Sequence, residues 1–372
     1  MRDAAPALDA VQPLPITEIV LREFTVPAPG LLAHHPAVRP DAGSDPVRGW
    51  LVGVCDGRQW GWWGPIEERV AAHAPAMLAA AFPTLPASVR PGEFARTLRR
   101  ATRHAHSGLL AVAVGSLELA VWDLAGKRAG LPVWALLAPR AVRDTVPAYA
   151  TCFGVSRTPK QVARVMDEVA HDYTVQKWRP HILEAELAGV AAEFVARRGP
   201  GRLAVDFAGA WPPDRVRAAC RAQAGALAWV EEPYHPDEVD TAAEGEFGAP
   251  HASGEHCYGP ADAAHLRAGH VDVWQPDAVF CGGLVNLLLL ARAAAAAGAD
   301  CAPHGGGLLP ALHLAAIGEP VSVVELHLLL EPRRSAHLAA PPPTGDPQAA
   351  GALPVPVAPG WCGDLRAGLL SG

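Results

Sequence analysis

The chain has 372 residues, enough for one large domain and a smaller one. Half of the residues are hydrophobic and 19% are charged, which is the balance of a packed soluble protein and excludes a disordered one. A formal net charge of -7, with no block of Lys or Arg, disfavours nucleic acid or a membrane surface as the main partner.

The N-terminal stretch "MRDAAPALDAVQPLP" lacks the apolar core of a signal peptide. Next, "ITEIVLREFTV" and "GWLVGVCDGRQWGWWG" read as antiparallel strands, the second a hairpin turning at "CDGRQ". A helical block follows and closes with "LLAVAVGSLELAVWDLAGKRAGLPVWALL", so residues 1–145 are expected to form an α+β unit. From about residue 146, short β-like runs ("VPAYAT", "TVQKW", "RLAVDF", "LAWVEE", "PHASGE", "VDVWQPD", "ADCAPH", "SVVELH") alternate with helical ones. That alternation predicts an α/β barrel over 146–330. The most apolar stretch, "GLVNLLLLARAAAAAG", is interrupted by Asn286 and Arg292 and reads as a buried helix. The loop-rich residues 331–372 are expected to return and cover the first unit. Seven scattered cysteines without a CxxC pair suggest neither a disulfide framework nor a zinc knuckle, and fit a reducing, cytoplasmic compartment.

In a (β/α) barrel the chemistry sits at the C-terminal ends of the strands. Reading only those ends yields Lys177, Asp206, Glu231, Glu255, Asp277, His304 and Glu325, separated by 29, 25, 24, 22, 27 and 21 residues. Each gap is about one βα unit, so the seven are expected to converge on one mouth. Asp206, Glu231 and Glu255 offer oxygen ligands only, a hard donor set that suits Mg2+. Without a cation, three clustered carboxylates repel one another. Lys177 beside a cation would lose affinity for its proton and act as a base. Asp277, one strand before His304, would hold the imidazole Nδ1–H and raise its basicity.

These residues resemble the enolase superfamily, and within it the mandelate racemase-like subgroup. "LAVWDLAGKRAGLPVWALL" is similar to that family's segment joining capping domain to barrel, and "VEEP", "GEH", "QPD" with "CGG", and "APHGG" are similar to its strand-end motifs. The resemblance covers nearly the whole chain. It implies a modified TIM (β/α)7β-type barrel with an N-terminal α+β capping domain, Mg2+ on Asp206, Glu231 and Glu255, and an Asp277–His304 acid/base dyad. It further implies that Glu325 hydrogen-bonds the substrate carboxylate, and that the protein is a homo-oligomer acting on a small carboxylate. A lysine in place of Asp277 would mark the muconate-lactonising subgroup instead.

Two positions depart from the family pattern. The usual Lys-x-Lys of the second barrel strand reads "VQKWRP": the spacing to Asp206 makes Lys177 the second lysine and Val175 the first, while the other register makes Arg179 the second. Where relatives carry Asp-x-Asn, this chain has Ala208. The reaction implied is removal of the proton α to a carboxylate, with dehydration of a sugar acid ranked before racemisation or epimerisation. A metal-binding subunit that has lost turnover is the alternative of another class. His34, Trp60, Arg179 and His256 are the candidate substrate-binding residues. Trp60 and Trp62 are expected on one strand face and Trp63 in the core.

Overall fold

The computed structural model describes residues 8–27, 45–73, 86–103, 105–152, 158–170, 172–179, 184–235, 246–328, 330–342 and 351–370. The candidate His34, with His35, lies outside them.

Three antiparallel strands, β1 (Glu18–Val26), β2 (Val47–Cys55) and β3 (Trp60–Ile66), form the first sheet in that order. The expected hairpin joins β2 to β3. Asp56 Oδ1 accepts from the backbone N–H of Arg58 at 2.9 Å and of Gln59 at 2.8 Å, and Gly57 supplies the positive φ of the turn. The helix Gly108–Ala129 lies across this sheet. It is long and apolar enough to cross a membrane by composition, yet 83% of its apolar window is buried inside the protein.

That helix explains the "WDLAGK" segment. The carboxylate of Asp123 pairs with Lys127 at 2.7 Å, one turn on, and accepts from the backbone of Trp62 on β3 and of Trp361 in the returning tail. Glu118 is fully buried and takes the N–H groups of Leu284 and Val285, so it caps the helix Leu284–Ala297 of the barrel. Glycine is required at the close approaches. A Cβ on Gly61 of β3 would stand 2.3 Å from the Ala120 carbonyl oxygen and the Leu124 nitrogen of the helix. Gly61→Ala is therefore expected to destabilise the fold by about 1–3 kcal/mol, read from chemical denaturation. An unchanged midpoint would mean that the sheet and helix separate at no cost.

The second sheet is parallel and follows chain order: β4 (Thr145–Cys152), β5 (Gln176–Trp178), β6 (Leu203–Asp206), β7 (Leu227–Glu231), β8 (His251–Ser253), β9 (Val273–Trp274) and β10 (Asp300–Cys301). The last strand, β11 (Val324–His327), pairs with β4, and the Ser322 N–H donates to the Cys301 carbonyl at 2.8 Å across the remaining seam. Among the described residues, the helix that follows β11 has four residues, Glu331–Arg334, and stands where an eighth barrel helix would. This is the expected modified (β/α)7β barrel with an α+β cap.

The tail adds β12 (Ala352–Pro354) antiparallel to the start of β4 and places Trp361 against Trp63 of the cap. His313 ties three segments together. Its Nδ1 accepts from Trp134 N–H at 3.0 Å and its Nε2 faces the Trp361 carbonyl at 2.8 Å, which fixes the Nε2–H tautomer.

Strand parity sorts the barrel's side chains. Tyr149, Ala204, Trp229, Ala252, Val273 and Ala302 fill the interior, with Val175 packed against them. Trp178 points the other way, into the helical layer with Met166, Leu187 and Phe194. Lys177, between Val175 and Arg179, therefore shares the inward face with both, one step above an apolar floor and one step below the mouth.

Candidate active site

Registered pairing places the inward polar residues. Thr151 is the Cα partner of Lys177, and Asp206 is the partner of Glu231. The Lys177 ammonium lies 3.0 Å from Glu325 Oε1 and contacts Glu231 Oε1. Glu231 Oε2 accepts from Gln275 Nε2 at 2.7 Å and Trp229 Nε1 at 3.1 Å. Glu325 is held by Tyr149 OH at 3.1 Å, the Gly305 N–H at 3.0 Å and the Thr151 hydroxyl. All three charged side chains are buried.

One ammonium thus serves two carboxylates, with Asp206 close enough to be felt by both Lys177 and Glu231. Burial pushes the Glu231 carboxyl up, against Lys177 and with the help of Asp206 and Glu325. Burial works the same way on Glu325, but the charges of Lys177 and His304 and the Thr151 hydroxyl outweigh it and hold that carboxyl low. On Lys177, burial is overcome by Glu231 and Glu325, which drive its affinity for the proton up. In this arrangement the two carboxylates hold Lys177 as a cation.

His304 stands across the mouth. Its Nδ1 is 2.8 Å from Asp277 Oδ2, and its Nε2 is 3.3 Å from Glu255 Oε2. Burial favours the neutral imidazole, yet Glu255 and the Asp277 hydrogen bond raise it to about 10. Asp277 Oδ1 is fixed by the N–H groups of Val279 and Phe280, at 2.7 and 3.1 Å. The "HGGG" run makes the dyad possible. A Cβ on Gly306 would stand 1.9 Å from Asp277 Oδ2, and one on Gly307 2.4 Å from Ala278 Cβ. A side chain at position 306 would force the Asp277 carboxylate away from His304.

The two glutamates of "VEEP" divide as strand parity requires. Glu231 faces the interior. Glu232 has φ 40°, leaves the strand, and accepts from Ser253 Oγ at 2.8 Å and Gly254 N–H at 3.2 Å, with His256 Nδ1 3.7 Å away. Ala208 likewise has φ 47°, and its N–H donates to Asp206 Oδ1 at 2.8 Å. Asparagine tolerates this left-handed backbone better than alanine. Ala208→Asn is expected to raise stability by about 0.5–1 kcal/mol, read as a higher urea midpoint. A lower midpoint would show that the pocket rejects the amide.

The donor set fits a magnesium ion by its chemistry. Asp206 ends β6, Glu231 ends β7 and Glu255 follows β8; all offer oxygen, and the carboxyl groups of Asp206, Glu231 and Glu325 crowd around the one Lys177 ammonium. No group of three among the described acidic, His or Cys side chains stands in ligand geometry, because Lys177 and His304 take up Glu231 and Glu255.

Of the substrate-binding candidates, His256 lines the cavity beside His304, a space of about 420 Å3 between cap and barrel. Trp60 stacks on Trp62 at 5.1 Å and is absent from the described wall of that cavity, while Trp63 is buried as expected. Arg179 follows β5 on the inward parity and is partly buried. The strand-end reading missed Tyr149, Thr151, Trp229 and Gln275. Two of them stand two residues before a ring member, Trp229 before Glu231 and Gln275 before Asp277, so parity was the available signal. Tyr149 and Thr151 sit on the first strand, which was not read for the ring.

An eight-stranded barrel with an α+β cap, carrying acidic strand ends and an Asp–His pair at its mouth, defines the class. Residues 160–367, more than half of the chain, match the family described as enolase C-terminal domain-like, and the protein belongs to this family of the enolase superfamily. Among solved structures, a mandelate racemase/muconate lactonizing enzyme from Polaromonas is 25% identical with a TM-score of 0.75, covering 96% of each chain. An enolase from Bradyrhizobium complexed with magnesium and mandelic acid is 21% identical with a TM-score of 0.78, covering 97% of this chain and 98% of that one. A 3,6-anhydro-D-galactonate cycloisomerase from Zobellia galactanivorans is 21% identical with a TM-score of 0.75, covering 96% and 98%. At these identities the last two bear on the fold.

Proposed function

We propose that the protein removes the proton α to a carboxylate through an enediolate, with Mg2+ as its cofactor held by Asp206, Glu231 and Glu255. Bound there, the ion supplies a Lewis acid for the charge that develops on the carboxylate. The magnesium carried by the Bradyrhizobium neighbour agrees with this reading. Of the outcomes expected from the sequence, dehydration of an α,β-dihydroxy acid, the class that includes sugar acids, is the one this geometry supports best. The observation that carries it is an asymmetry: His304 lines the cavity, whereas the Lys177 side chain is 3% exposed and absent from the described wall of that cavity.

Racemisation needs two proton carriers on opposite faces of the α-carbon; elimination can run with one. In the elimination, the fraction of His304 without a proton on Nε2 takes the α-proton there and returns it to the departing β-hydroxyl. The C–H electron pair becomes the Cα–Cβ double bond, the C–O bond at Cβ breaks and water leaves; the hydroxyl that stays on the α-carbon is then an enol, which ketonises to a 2-keto-3-deoxy acid. Asp277 holds Nδ1–H throughout, and the Lys177 ammonium offers a fixed positive charge to the enediolate.

The test is incubation of the Mg2+-loaded protein with hydroxy acids and sugar acids in D2O. Keto acid formation without deuterated, inverted substrate is expected. Inversion at the α-carbon without keto acid would replace dehydration by racemisation.

A further inference from the structure

The cavity beside His304 carries information about the acid that enters it. Its described wall draws apolar side chains from three separate parts of the chain: Ile66 at the end of β3 and Val70 just after it, Leu109 and Val112 from the first turn of the Gly108–Ala129 helix, and Val279 and Phe280 after β9. Leu109 and Val112 are three residues apart and share one helix face. Leu109 is 36% exposed, one of six large apolar side chains left open to solvent among the described residues. Phe280 lies nearly parallel to the His304 ring at a centroid distance of 6.3 Å. Polar side chains share the wall: His304, Asp277 and His256 on the barrel side, Tyr258, Glu67, Ser116, whose hydroxyl donates to the Val112 carbonyl at 2.9 Å, and Arg334, tied by its Nη1 to the Gly305 carbonyl at 2.8 Å.

A polyol chain laid on these six side chains would leave hydroxyls without partners, at about 1–3 kcal/mol each. An aryl or branched alkyl group would instead remove apolar surface from water, worth about 25 cal/mol per Å2 on both sides of the contact. We infer that the acid taken by this site carries an aromatic or branched aliphatic substituent within a few bonds of its α-carbon, in place of the hydroxylated chain of a sugar acid. This rests on the α-proton reading above and narrows its substrate. The apolar group lies against Leu109, Val112 and Phe280 while the α-carbon stands at His304.

Binding and turnover are measured separately. Acids with a methyl group in place of the α-proton bind but do not react, so calorimetry on the Mg2+-loaded protein compares aryl- or isobutyl-substituted 2-methyl-2-hydroxy acids with polyhydroxy acids blocked in the same way. The apolar analogues are expected to bind at least tenfold more tightly. Leu109→Ser, at a solvent-exposed position, is expected to weaken them about tenfold without lowering the thermal midpoint. Equal or tighter binding of the polyol analogues, or indifference of the apolar ones to Leu109→Ser, overturns the inference. The parallel D2O experiment with the reactive acids separates the two readings. Apolar analogues that bind while no acid exchanges its α-proton leave the site's preference standing and remove the proposed reaction. Turnover confined to polyol acids keeps the reaction and removes the preference.

Discussion

His304→Asn is expected to lower α-proton exchange and keto acid formation by about 10³-fold or more, with the fold intact. Asparagine keeps a polar side chain at the mouth but cannot carry the proton. The same loss is expected from Gly306→Ala, which removes none of the proposed catalytic side chains. Its new methyl would meet Asp277 Oδ2 at 1.9 Å and displace that carboxylate from His304 Nδ1. The pair of variants separates chemistry from positioning. His304→Asn removes the proton carrier, whereas Gly306→Ala leaves it without its orienting partner, so only the second should retain a residual rate that rises with pH as the misplaced imidazole is freed of its proton. A His304→Asn protein that still exchanges the α-proton at the parent rate would overturn the assignment of the dyad.

Metal removal is the second large effect. Treatment with EDTA is expected to reduce exchange below about 1% of the Mg2+-loaded rate, and added Mg2+ to restore it. The physical ground is the crowding of carboxyl groups around Lys177, where burial, Asp206 and Glu325 raise Glu231 against the pull of the single ammonium. Free Mg2+ at about 100 times its Kd should add about 2.7 kcal/mol of stability, a rise of several degrees in Tm. Glu255→Gln should remove most of that rise. Stability and turnover that ignore both EDTA and Mg2+ would eliminate the metal from the reading. A rise in Tm without any turnover would leave a metal-binding subunit that has lost its chemistry.

The barrel was legible because its signals are local. Each strand is a short apolar run, each helix has its own periodicity, and each polar strand end falls one βα unit after the last. The observed strands β4 to β11 all fall within the runs expected of them, give or take a residue at the ends. The hairpin at Asp56 was legible for the same reason, since an Asp-Gly turn is set by its own side-chain hydrogen bonds. The roles of Gly61, Gly115 and Gly126 were not. Each faces a backbone distant in sequence: the Ala120 carbonyl, the Val279 carbonyl and Gly360. Nothing in the neighbouring residues announces those contacts.

The site divides along the same line. Residue order and strand parity suffice to send Lys177, Asp206, Glu231 and Glu325 inward, because alternation is a property of an extended backbone and needs no partner. They suffice also to choose Glu231 over Glu232. What each inward group touches follows from the register between strands and from the loops above them. The charge on Lys177 is set by two carboxylates lying 54 and 148 positions along the chain, and the basicity of His304 by carboxylates from two other strand ends. The apolar wall beside His304 comes from a cap strand, the start of a long helix and a barrel loop, each unremarkable in sequence. Electrostatic coupling and pocket shape depend on distances through space, and those exist only after the chain has closed its barrel and the cap has settled on it.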